Sequence, residues 1–290
     1  MQIVEYLHQH SLLLVTLCGL LGLVVGSFLN VLVHRLPRML ERDWRQQALE
    51  FLHPEQEQPA QDTYNLVLPH SHCPHCNSKI KAWQNIPLLS YVLLGGRCGN
   101  CRERISLRYP LVEALTAALS MLVAWQLGLG WPLLAMLLLT WTLISLSLID
   151  ADTQLLPDVL VLPMLWLGLL LNAQALFTDL SSAVWGAAFG YLSLWSVYWA
   201  FKLLTGKEGM GHGDFKLLAM IGAWGGWQVL PLTILLSSLV GAILGIIILK
   251  ARGQSNSTPL PFGPYIAIAG WVALLWGDVI TRSYLQFAGF

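Results

Sequence analysis

Charge is what this chain most lacks. Only 11 % of its 290 residues are Asp, Glu, Lys or Arg, against roughly 25 % in a soluble domain. The net charge is zero, so nothing draws the chain toward nucleic acid, and no nucleic-acid partner is expected. No basic n-region precedes the first apolar run, so a cleavable signal peptide is not expected. No glycine-rich fingerprint follows a strand, which leaves no Rossmann-type cofactor site. No motif is duplicated, whereas transporters often show inverted repeats. Apolar residues fill the space left by these absences. They make up 56 % of the chain, with a mean hydropathy of +0.60, the composition of a polytopic membrane protein.

Residues 1–10 are a short polar start. Ser11–Val33 is about one bilayer of apolar residues and predicts a first transmembrane helix. Gly19, Gly22 and Gly26 lie three and four residues apart and suit a close helix–helix contact. Ser27 and Asn30 follow, either as packing groups or as the lining of a groove. Residues 34–109 form the one sizeable polar segment and carry ten of the sixteen Lys and Arg. Positive charge stays inside, so this segment is expected in the cytoplasm. Within it, 41–62 reads as a helix followed by a mobile linker. Seven further apolar segments follow: Pro110–Leu127, Trp131–Ile149, Val159–Phe177, Val184–Leu204, Phe215–Trp227, Val229–Leu249 and Pro261–Trp276. Threaded alternately, they leave only Arg282 among the basic residues outside. The expected fold is an all-α polytopic membrane protein with about eight transmembrane helices and a small zinc-binding cytoplasmic domain between the first two. The expected domains are 1–33, 34–109 and 110–290.

Cys73-Pro74-His75-Cys76 and Cys98-Gly99-Asn100-Cys101 are two CxxC knuckles with 21 residues between them. Four thiolates so spaced can close a tetrahedral structural zinc site, and a reducing cytoplasm argues against disulfides. His72 and His75 read as spectators, and Cys18, inside the first span, as a small packing residue. Two carboxylates stand out at the membrane boundary. Asp214 lies in Gly209-Met210-Gly211-His212-Gly213-Asp214-Phe215-Lys216, where three alternating glycines allow tight turning or positive φ and clear bulk beside the acid. Its plainer reading is a solvated helix N-cap. Asp150 would return to the same side of the membrane at the end of the third span. A carboxylate entering a membrane domain calls for a function and a partner, and these two can share one proton and activate a water. Asp158 reads as a helix N-cap and Asp152 as solvated loop. Glu113, early in the second span, either binds a substrate amino group or pairs with Arg108 or another base. Lys216 either tunes Asp214 or snorkels to lipid headgroups.

Gly211-His212-Gly213-Asp214, Ile149-Asp150 with Leu156-Pro157-Asp158, Gly26-Ser27-Phe28-Leu29-Asn30-Val31 with Arg35-Leu36-Pro37, and the four-cysteine loop together resemble the type IV prepilin peptidases, a branch of the GxGD membrane aspartyl proteases. The resemblance covers nearly the whole chain and is nearest to the bifunctional form that also methylates the new N-terminus. It implies a multi-pass protein of the bacterial inner membrane with its active site toward the cytoplasm, and Asp150 and Asp214 as the catalytic pair. The implied substrates are prepilins and pseudopilins, with a short basic leader ahead of an apolar helix. It also implies S-adenosylmethionine as methyl donor, with Gly95, Arg97 and Glu113 as candidate residues for its site, and a zinc that folds the loop rather than cutting the substrate. The alternatives are a peptidase without methylation, a proton-coupled transporter using the aspartates, and a structural subunit of the secretion machine.

Overall fold

The computed structural model describes residues 10–53, 63–252 and 261–287. The polar start before His10 and the expected linker after the first helix therefore lie largely outside the described residues. Within them every element is helical apart from two isolated bridges. A helix answers each of the eight apolar segments, and five candidate spans are long and apolar enough to cross a membrane. The chain divides into two units, at Trp141/Thr142.

In the first unit, α1 (Ser11–Leu52) does not stop near Val33 but runs on through Pro37. At 42 residues it is about 63 Å long, twice a hydrocarbon core of about 30 Å. Its far half is built from Glu, Arg and Gln, which are strong helix formers, and Gln46 donates to Glu50 one turn on at 2.7 Å. The short helix α2 (Leu89–Leu93) precedes α3 (Arg108–Leu127). The glycine stripe of α1 lies against α3 as its spacing predicted. A methyl at Gly22 would stand 2.8 Å from the Ala117 Cα, and one at Gly26 2.8 Å from the Glu113 Cα. Asn30 spans the same contact by donating to the Tyr109 carbonyl at 3.2 Å, which makes it packing glue. α4 (Trp131–Thr153) carries the boundary between the units.

The second unit is organised around α7 (His212–Gly225), whose residues from Asp214 to Trp224 are all buried except Lys216. It packs against α5 (Asp158–Asn172), α6 (Leu180–Thr205) and α9 (Gly263–Phe287), and α8 (Leu230–Arg252) lies against α9. Gly186 of α6 and Gly222 of α7 touch backbone to backbone, so neither has room for a side chain. α6 opens on Asp179, which accepts from the Ser182 N–H at 2.9 Å, and closes on Gly206 at φ 69, an acidic N-cap and a left-handed C-cap. α5 ends five residues before the expected Phe177. There the Asn172 side chain accepts from the Phe177 and Thr178 N–H groups and donates to the Ala223 and Trp224 carbonyls.

Trp224 is fully buried and donates from Nε1 to the Met164 carbonyl at 2.8 Å. Replacing it with alanine is expected to cost about 3–5 kcal/mol by opening a cavity and removing that hydrogen bond. Thermal unfolding of the detergent-solubilised protein reads this loss, and an unchanged Tm would remove Trp224 from the core.

Candidate active site and metal centre

Asp150 lies on the last turn of α4, so this acid is part of a helix and not of the loop after it. The same helix carries Asp152, which was expected in the loop and is helical and exposed. α4 closes with Gln154 in the left-handed region at φ 55, its N–H donating to the Asp150 carbonyl at 2.9 Å. The Asp150 carboxylate is 5 % exposed, and its Oδ2 accepts from the Gly263 N–H at 2.9 Å. Gly263 is the first residue of α9, so its N–H is one of the donors a helix leaves unpaired, at the positive end of the helix dipole.

Asp214 is 7 % exposed and sits in the first turn of α7. It is neither a solvated residue nor the cap, a position held by Gly211. Leu156, in the loop between α4 and α5, abuts a glycine next to each acid. A methyl on Gly213 would stand 2.8 Å from the Leu156 Cβ. A methyl on Gly263 would stand 3.2 Å from the Leu156 Cδ2 and 2.7 Å from the Asp150 Oδ2. Gly213, next to Asp214 in the chain, and Gly263, whose N–H holds Asp150, thus both pack on one leucine.

The glycines of the signature do only part of the work expected: they clear bulk but do not turn through positive φ. None of Gly209, Gly211 and Gly213 has positive φ. Gly213 is required by Leu156 and Gly209 by the Phe201 ring at 2.9 Å, while a methyl on Gly211 would meet Asp214 at an ordinary 3.9 Å. Asp158 is not an N-cap; Pro157 holds that position. Both carboxylate oxygens of Asp158 instead take the Lys216 ammonium, at 2.7 and 2.8 Å. Lys216 therefore ties α7 to α5 and does not snorkel.

Sequence reasoning missed Gly263. Its signal was present, a glycine between Pro261 and Pro264 at the start of an apolar run, where the first turn tolerates proline. Gly263→Ala is expected to lower any activity of the aspartate pair by roughly tenfold or more, because the new methyl displaces the Asp150 carboxylate. Comparing the rate with that of the wild type, at matched Tm, checks this; an unchanged rate would free Gly263 of that role.

In the first unit the cysteines form two matching knuckles. Asn77 donates to the Cys73 carbonyl, and Arg102 to that of Cys98. Both donors have positive φ, 54 and 59. The Cys73 N–H reaches the Ser78 carbonyl and the Cys98 N–H the Glu103 carbonyl, at 3.0 and 2.8 Å. Bridges between His72 and Lys79 and between Arg97 and Arg104 close the knuckles. The four Sγ atoms lie within 4.8 Å of one another, with Cys73 and Cys101 at 3.8 Å. That spacing suits a tetrahedral ion with metal–sulfur bonds of about 2.3 Å. Hydrogen bonds from the Ser78 side chain and backbone, and from the Asn100 amide, pull the Cys76 thiol down to about 5. Backbone N–H groups of Cys101 and Asn100 lower Cys98 in the same direction. Cys101 shifts the other way: against a lowering backbone bond to Glu103, desolvation and the neighbouring sulfurs push its thiol up to about 12. Metal binding displaces such protons, and the four-sulfur spacing fits a metal ion.

The remaining candidates also lie in the first unit. Glu113 is buried, and its Oε2 accepts from the Leu88 N–H at 2.9 Å. Gly95 has φ 58 with open space beside it, and Arg97 enters the second knuckle. Arg35, within the N-terminal signature, is buried and donates to the Asn65 and Pro69 carbonyls at 2.9 and 2.6 Å, pinning α1 to the loop that leads to the knuckles.

Two family models match the chain: the bacterial peptidase A24 N-terminal domain over residues 20–127 and the type IV leader peptidase family over 137–246. A protein of Pseudomonas aeruginosa named prepilin leader peptidase/N-methyltransferase is 66 % identical over 290 residues, all of both chains. Relatives of the same name from Stutzerimonas stutzeri and Aeromonas hydrophila are 63 % and 58 % identical over 98 % of each chain. No solved structure matches the chain. With both halves matched in order and relatives this similar from end to end, the chain belongs to the type IV leader peptidase family.

Proposed function

We propose that this protein is a membrane aspartyl endopeptidase and methyltransferase. It cuts the leader from type IV prepilins and pseudopilins and then methylates the new amino terminus. Relatives of the same length carry that double name. The observation that carries the peptidase half is the burial of both Asp150, held by the Gly263 N–H, and Asp214, next to Gly213, with both glycines packed on Leu156.

Two close carboxylates in a water-poor setting cannot both ionise cheaply, so the pair holds one proton. One aspartate takes a proton from water while the other, protonated, polarises the scissile carbonyl. They titrate as a unit. The Gly263 N–H holds Asp150 in place, and Leu156 sets the packing between α7 and α9. The substrate helix would lie in the bilayer with its basic leader in the cytoplasm. The eight helices are all assigned as spans, in the inner membrane, because that threading keeps fifteen of the sixteen Lys and Arg inside.

Cys73, Cys76, Cys98 and Cys101 would hold zinc, which cross-links the two knuckles and stabilises their fold. S-adenosylmethionine is assigned as methyl donor through the family. Gly95, Arg97 and Glu113 remain its candidate residues, but Glu113 already serves Leu88, so no transfer step is derived from them. Incubating purified protein with a prepilin and methyl-labelled donor tests the reading. A shortened product carrying label on its first residue is expected. Cleavage without label would leave a peptidase alone, and no cleavage would sink the assignment.

A further inference from the structure

Residues 70–109 contain six bases, Lys79, Lys81, Arg97, Arg102, Arg104 and Arg108, and a single acid, Glu103. Between those bases Ile86, Leu89, Val92 and Leu93 expose 45–73 % of their surface. No residue of α2 is buried. An apolar run in a strongly basic stretch is out of place in water, and α3 shows where it stands.

The Leu88 N–H, at the start of α2, donates to the buried Glu113 carboxylate at 2.9 Å. Glu113 lies five residues into α3, about 7–8 Å along that helix. α3 is one of the helices long and apolar enough to cross a membrane. Leu111 and Leu115, on either side of Glu113, expose 64 % and 47 % of their surface. The hydrogen bond therefore holds α2 at a depth where α3 already presents leucines to lipid.

The geometry points to a second membrane contact: Ile86, Leu89, Val92 and Leu93 sit in the interfacial zone of the bilayer, with the surrounding bases over anionic lipid headgroups. The occupant is lipid, because the Leu88–Glu113 bond ties the patch to the stretch of α3 that exposes Leu111 and Leu115, and its charge complements an anionic leaflet. Interfacial segments sink apolar side chains about 5–10 Å into the boundary while their basic residues stay at the headgroups. Seated this way, α2 anchors the two cysteine knuckles to the membrane surface. The inference rests on α3 spanning the bilayer.

Full-length protein in nanodiscs containing phosphatidylglycerol and phosphatidylcholine tests it. The photocrosslinker benzoylphenylalanine is placed singly at Val92, at Leu115 on α3 and at Gln47, exposed on the polar far half of α1. Lipid adducts are then read by mass spectrometry. The Val92 yield is expected to match Leu115 and to exceed Gln47 by on the order of tenfold. It should fall when phosphatidylglycerol is left out; an unchanged yield would overturn the headgroup contact. Adducts at Leu115 with none at Val92 would overturn the proposal and leave α3 as a span. None at Leu115 would overturn the spanning reading itself. Adducts from Val92 to a second copy, or to added prepilin, would assign the patch to a protein and overturn the proposal too. Leu93, 68 % exposed, serves as the probe position if the Val92 variant does not fold.

Discussion

Asparagine at Asp150 or at Asp214 is expected to lower leader cleavage by about 10²–10⁴-fold, the range a positioned acid or base contributes. The substitution keeps the volume of the side chain, and an amide oxygen at position 150 can still accept from the Gly263 N–H, so the fold is expected to persist. What disappears is the shared proton, since an amide neither takes a proton from water nor yields one to a carbonyl. The double variant is expected to be no worse than either single one, because the two groups act as a unit. Cleavage of a prepilin by purified protein in detergent measures the loss. Methylation of a pre-cut substrate serves as the control and is expected to survive. A near-normal rate in either variant would remove the pair from the chemistry. Lys216→Met contrasts with this. Its ion pair with Asp158 is partly exposed, with side-chain exposures of 32 % and 52 %, so a stability change of only about 0–1 kcal/mol is expected.

Loss of the metal site is expected to have the largest effect on folding. Structural zinc supplies roughly 10–16 kcal/mol of apparent binding energy in small zinc-folded peptides, and each knuckle here is closed by only a few backbone bonds. Cys73→Ser, or a strong chelator, should abolish bound zinc, open the region between Ser71 and Ile105 to protease, and stop methylation. Cleavage should largely survive, because the aspartate pair is carried by the second unit. Elemental analysis, limited proteolysis and methyl labelling check the three parts. Zinc near zero in well-folded, fully methylating protein would sink the assignment. The sign of the pH dependence follows from Cys76. Its thiol is lowered to about 5 by the Ser78 and Asn100 hydrogen bonds, so it is a thiolate at neutral pH. Its contribution to metal binding is lost as pH falls through that value.

The linear sequence by itself settled what depends on local pattern. Apolar length marked the eight helical segments, because crossing or lining a bilayer needs a long apolar run whatever its neighbours. The stripe Gly19, Gly22 and Gly26 announced a close helix contact, because one face of a helix repeats every three to four residues. Two CxxC pairs announced a four-thiolate cluster, because ligand spacing within a knuckle is local. Tertiary structure alone decided which distant groups meet. Gly263 lies 113 residues from the Asp150 carboxylate it binds, and Lys216 lies 58 from Asp158. Asn172 ends α5 early by capping α7, and no periodicity encodes that exchange. Chain direction and hydrophobic period fix where a helix runs. Which glycine backs a carboxylate, and which leucine packs on both glycines, is set only when the helices pack and backbones come within reach of one another.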